Sequence, residues 1–188
     1  MHLLEPHYNW RNIYRAEDDE NSPFYGREYS EFYFENSIYN YYIHPQWDEF
    51  GSATLYTKIL YADYIQEYAI LELIGEWNDV LYNDIKFLKR EVIEVLQDAG
   101  IKHFILIGEN ILNAFPQDDD YYAEWAEEVE DGYICCINFR EHVLKEFQRY
   151  GLSPYLHWGG ELDNLNWRTL TPPNLFKKIS DIVQHRLG

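Results

Sequence analysis

The 188-residue chain carries 15 Lys and Arg against 33 Asp and Glu, a formal net charge of −18. Such a chain repels phosphate backbones, so neither nucleic acid nor an anionic membrane is an expected partner. Hydrophobic residues make up 46%, which excludes disorder and fits one domain with an elaborated end.

The opening Met1-His-Leu-Leu-Glu-Pro6 lacks the basic-then-apolar order of a secretory signal. No apolar run is long enough to span a bilayer, so a cytoplasmic protein is expected. Residues 1–53 read as an aromatic-rich arm and hairpin packed on a body formed by 54–188. The hairpin is predicted as Glu31-Phe-Tyr-Phe34, a turn at Glu35-Asn-Ser37, and Ile38–Ile43. Leu55 to Tyr64 alternates like a half-buried strand, and Tyr68–Ile74 returns as a more buried one. After Gly75 the period becomes helical. Asp79 serves as the predicted N-cap, Leu81, Ile85, Leu88, Val92, Val95 and Leu96 form the stripe, and Gly100 is the stop.

His103–Ile107 is predicted as a short strand ended by Gly108, and Asp118–Asp120 opens a helix carrying Tyr122, Trp125 and Val129. Tyr133–Asn138 is the next buried strand. Its adjacent Cys135 and Cys136 point to opposite faces, a poor geometry for a disulfide and a good one for packing. Val143, Leu144 and Phe147 stripe the following helix up to Gly151, and Pro154–Trp158 forms a last short strand. Thr171-Pro-Pro173 starts a terminal helix. Strand–helix alternation of this kind predicts an α/β fold: a mixed, largely parallel sheet covered by about four helices, with an extra N-terminal antiparallel hairpin.

The order and length of the elements over residues 54–187 resemble the STAS-like domains of anti-sigma-factor antagonists and their SpoIIAA-like relatives. Gly75-Glu-Trp-Asn-Asp79 and Asn138-Phe-Arg-Glu-His142 are also similar in wording to a bacterial family of this shape. The resemblance implies a module that works by association, regulated in the antagonists by phosphorylation of a Ser or Thr at a helix start. The comparable stretch here, Asn113–Asp120, has neither residue. Either the switch is absent or acids permanently occupy its place. A cradle for lipid or another small apolar molecule is the fold's other implied use.

Ligands of open α/β sheets sit outside the carboxyl ends of the parallel strands. Three predicted strand ends are polar: Gly108-Glu109-Asn110, Asn138-Phe-Arg140-Glu141-His142 and Gly159-Gly160-Glu161. A Glu beside His142 suits acid–base work, and Arg140 suits a carboxylate or phosphate. The structural alternative makes Asn138 an N-cap with Glu141 completing a capping box, and pairs Arg140 with a surface acid. His142, His157 and Glu161 lack metal-ligand spacing, and Gly159-Gly160 lacks the dinucleotide fingerprint, so neither a metal nor a cofactor is expected.

Trp158, Trp167 and Arg168 are partner-surface candidates, because Trp and Arg dominate binding hot spots; the alternative is a Trp that pins its loop. The Tyr-rich hairpin poses the same choice between a partner or homodimer surface and a cover for a sheet edge. Two functions follow from these residues. One is a noncatalytic module binding a protein partner or small ligand; the other is a small enzyme using the acid/base crevice at the strand ends.

Overall fold

A computed structural model describes residues 2–33 and 35–188. Near the N-terminus it holds three short strands, His2–Leu4 (β1), Ser37–Ile38 (β2) and Tyr41–Ile43 (β3), in the order β1-β3-β2. β2 and β3 form the expected antiparallel hairpin, but displaced. Its turn is at Tyr39 and Asn40, where Tyr39 adopts φ +53, and residues 31–33 form no strand. Phe34, part of the predicted first strand, lies outside the described residues. The displacement has a packing cause: folding the run on itself sends both Ile38 and Ile43 into one cluster with Trp47, Tyr56, Ile74 and Leu112.

The main sheet runs β4-β5-β6-β7, with Leu55–Asp63 (β4) antiparallel to Tyr68–Asn78 (β5). His103–Phe115 (β6) and Tyr133–Ile137 (β7) extend it in parallel. β5 and β6 overrun their predicted ends at Gly75 and Gly108 because those glycines permit close approach and do not terminate pairing. A Cβ at Gly75 would stand 2.0 Å from the Thr54 carbonyl, and one at Gly108 2.2 Å from the Phe139 ring. The predicted strand at 154–158 shrinks to one bridge, with His157 N donating to Ile134 O at 2.8 Å and Cys136 N to His157 O at 2.8 Å. Residues 152–156 turn instead, Leu156 N donating to Leu152 O.

The single helix expected after Gly75 is broken into Asp79–Tyr82 (α1), Asp84–Leu88 (α2), a π turn at Lys89–Ile93 and Glu94–Asp98 (α3). Asn83, at φ +54, makes the break. Asn78, not Asp79, caps α1 by accepting from Leu81 N at 2.9 Å. Asp79 turns inward to accept from Ile85 N and the Tyr122 hydroxyl, so Leu81 leaves the predicted stripe and is exposed. Asp120–Glu128 (α4), Glu141–Arg149 (α5) and Pro172–Leu187 (α6) complete the helical layers.

Both faces of the central strands are covered, so their sequences read as continuous apolar runs. One face packs Leu88, Val92, Leu96, Trp125 and Phe147 against Leu71, Phe104 and Cys136. The other packs α6, through Leu175, Ile179 and Val183, against Ile70, Ile105 and Cys135. Each fully buried aliphatic side chain contributes about 1.5–3 kcal/mol. The cysteines thus serve opposite cores as free thiols. Trp10 joins the α6 side, whereas Ala16 and Phe24 join the other. No helix is long and apolar enough to cross a membrane among the described residues.

Candidate functional site

The polar strand ends meet around one carboxylate. Glu109 lies on β6 two residues past the last pairing with β7. Its Oε1 accepts from Asn138 Nδ2 at 2.9 Å, Trp167 Nε1 at 2.8 Å and Arg168 Nη1 at 3.1 Å, while Oε2 pairs with Arg168 Nη2 at 2.7 Å. Burial alone would push this carboxyl up. The hydrogen bonds from Arg168, Asn138 and Trp167 outweigh burial and hold it below the usual range.

Asn138 is not the N-cap of α5; Arg140 occupies that position. At φ +55, Asn138 aims its amide across the loop instead. Nδ2 donates to Leu165 O at 2.8 Å, and Oδ1 accepts from Leu165 N at 2.7 Å. Arg140, exposed, reaches the Glu109 carbonyl through Nε at 3.2 Å. Glu141 is exposed and pairs with Lys145 at 2.6 Å. His142 Nε2 bonds the Leu112 carbonyl at 2.7 Å.

Asn110 pairs with Ile74 inside the overrunning part of β6, so Glu109 and Asn110 are strand residues and not a strand end. Gly159 and Gly160 take positive φ in a turn, and Glu161 lies exposed in the 3₁₀ segment Gly160–Asn164. Arg186, which the sequence gave no reason to single out, clamps that turn by donating to Trp158 O and Gly159 O. The predicted crevice residues therefore do not line one open pocket. Glu109, Asn138 and Arg140 come together, and Glu141, His142 and Glu161 stand apart from them.

Of the partner-surface candidates, Trp158 is half-buried against Phe147, and Arg168 is exposed with its guanidinium 4.3 Å from the centre of the Trp167 ring. Trp167 is 0% exposed, so its ring is closed to any partner. It packs in mutual edge contact with His7, at 4.8 Å, and Trp10, at 5.7 Å. His7 in turn donates its backbone N–H to Glu72 Oε2 at 2.8 Å.

Glu72, missed in the sequence, is 2% exposed on β5, and burial pushes its carboxyl up to about 7, against the opposing pull of His7 and Arg168. Burial and Arg168 push the His7 imidazole down, with Glu109 opposing. The available signal was a carboxylate in the otherwise apolar run Ala69-Ile-Leu-Glu-Leu-Ile74.

A carboxyl raised to about 7 thus lies beneath the arm, but the space beside His7 and Trp10 is about 10 Å³, room for roughly one water. The grooves of about 450, 520, 540 and 550 Å³ are lined by other residues. One carboxylate trio, Glu94, Glu124 and Glu128, has cation-binding spacing. The Lys89 ammonium already sits against it, at 3.1, 3.4 and 2.7 Å.

No family model matches the chain, and no curated protein matches it. Solved structures similar to part of the chain include two of SpoIIAA. The anti-sigma factor antagonist SpoIIAA in its unphosphorylated form is 17% identical with a TM-score of 0.38, over 50% of this chain and 82% of its own. The Bacillus cell fate determinant SpoIIAA in the phosphorylated form is 16% identical with a TM-score of 0.33, over 50% of this chain and 85% of its own.

Proposed function

We propose that this protein is a noncatalytic binding module whose partner is another protein, docked on an exposed aromatic face near the N-terminus. The observation that carries the reading is the groove of about 550 Å³ lined by Leu3, Phe32, Tyr33, Glu35 and Tyr42. Phe32 is 85% exposed and Tyr33 72%. Clustered large apolar residues at that exposure mark interaction sites more often than isolated ones do. The net charge of −18 sets the partner's chemistry: an apolar patch rimmed by Lys and Arg is steered in, and an acidic one is repelled. The same charge works against self-association through this face.

Affinity capture from an extract of the source cell, with wild type and the F32A/Y33A variant side by side, tests the reading. The expected result is a basic partner held by wild type, released by high salt and lost from the variant. No partner, or one held equally by both proteins, overturns it. Both side chains are exposed, so the variant is expected to fold as wild type does.

A further inference from the structure

The amino ends of the parallel strands carry a different feature. Tyr68, His103 and Tyr133 begin β5, β6 and β7 and are Cα partners in register, so three rings stand in a row along the sheet's lower edge. Phe176 of α6 covers the row. Its ring lies 4.1 Å from that of Tyr68 at 5°, 5.4 Å from His103 and 6.4 Å from Tyr133.

A groove of about 540 Å³ opens here between α6 and the strand starts, a size typical of small-molecule sites. One polar atom in its lining, His103 Nδ1, is buried and lacks a hydrogen-bond partner. Tyr68 is 0% exposed. Its hydroxyl meets that of Tyr61, and its ring lies under Phe176. The unpaired His103 nitrogen carries a cost that a bound polar group removes.

Charge narrows the class. Asp63, Asp131 and Asp181 line the groove against one ammonium, that of Lys177. Asp63 has one oxygen already committed to the backbone of Ile65 and Gln66, whereas Asp131 and Asp181 are exposed. Burial keeps the His103 imidazole in its neutral form by pushing its pKa down. Anionic ligands such as nucleotides are therefore disfavoured, and flat cations are favoured.

We infer that the groove between α6 and the starts of β5, β6 and β7 binds a small aromatic amine. The flat ring lies against His103, Tyr133 and Phe176, and the ammonium group faces Asp131 and Asp181. The site is separate from the proposed protein-docking face and shares no residue with it.

Titration of the full chain with tryptamine, followed by amide NMR and calorimetry at pH 7, tests the inference. Indole-3-acetate is the control with the same ring and the opposite charge. The expected result is saturable binding below ~1 mM, with shifts confined to residues near 68, 103, 133 and 176–184. Indole-3-acetate should bind at least tenfold more weakly. D131N/D181N, which alters only exposed side chains, should weaken tryptamine about tenfold, and Y68F, whose lost hydroxyl is closed to the groove, should leave the affinity unchanged. No saturation, equal binding of acid and amine, or unchanged affinity in D131N/D181N overturns the inference. That variant keeps the test decisive even if Y68F does not fold.

Discussion

At the carboxyl ends of β6 and β7, the polar groups around Glu109 have found protein partners. Glu109 takes three donors, Asn138 uses both ends of its amide, and the indole of Trp167 is enclosed by His7 and Trp10. At the amino ends of the same strands, His103 keeps a buried polar atom without a partner beside an open groove. The two ends share a sheet and a helical cover, yet the amino end opens on a groove of about 540 Å³ and the space beside His7 is about 10 Å³. The rule that α/β sheets bind at their carboxyl ends presupposes that the ends are open. Here the N-terminal arm, through His7 and Trp10, and the 158–170 loop have filled them. A saturated polar network rigidifies, whereas an unsatisfied one carries a cost that a ligand can relieve.

The largest effect should come from emptying the filled end. Trp167→Ala removes a fully buried indole and, as for other Trp→Ala core changes, should cost about 3–5 kcal/mol. Urea unfolding reads this directly. A loss below about 1 kcal/mol would mean that the loop and arm are held by something other than this ring, and the contrast between the two ends would fall.

Next is Glu72→Gln, which tests whether the buried carboxyl beneath the arm resists ionisation. The folded pKa of Glu72 is raised from 4.5 to about 7. As pH rises between those values, the unfolded chain loses its proton first, and stability falls by about 3 kcal/mol before levelling off above about 7. The Gln variant cannot ionise and still accepts from His7 N, so its stability should lack that fall and exceed wild type at pH 8. Superimposable pH profiles of wild type and variant would show that Glu72 titrates normally.

A smaller loss is expected from Glu109→Ala, which leaves Trp167 Nε1 without its acceptor and Asn138 Nδ2 with the Leu165 carbonyl alone. About 2 kcal/mol is the scale for such orphaned donors. Glu109→Gln retains an acceptor and should recover part of the loss in the same denaturation assay. Equal losses from the two variants would assign the effect to charge and not to the hydrogen bonds.

The sheet and its cover were largely legible in the sequence because burial on both faces writes unbroken apolar runs, as in Tyr133–Ile137, and because Thr171-Pro-Pro173 is a strong helix start. What was not legible depended on contacts distant in sequence. Gly75 and Gly108 read as strand ends, but the atoms that demand glycine there belong to Thr54 and Phe139. Asp79 read as a cap because Tyr122, its partner 43 residues away, is invisible to local pattern. Glu109, Asn138 and Arg140 did gather as the strand-end rule anticipates, yet nothing local revealed that His7 and Trp10 would close over Trp167, for which a loop pin and a partner surface both stood open. The register of Tyr68, His103 and Tyr133 likewise exists only once three strands pair.

The smallest effect sharpens the comparison from the surface. Glu141 read as part of the crevice, but it projects from the first turn of α5 and pairs only with Lys145, one turn along. Such exposed i,i+4 pairs are screened by solvent and pay side-chain entropy to form. The Lys145 ammonium holds the Glu141 carboxyl somewhat below its usual range, so any stabilising influence is present above the unfolded pKa and fades as acid protonates the group. Glu141→Ala should therefore leave the melting temperature at neutral pH unchanged and leave tryptamine affinity unchanged as well. A marked drop in either would mean that Glu141 reaches the network around Glu109, and the carboxyl end would then be less completely self-contained than its hydrogen bonds imply.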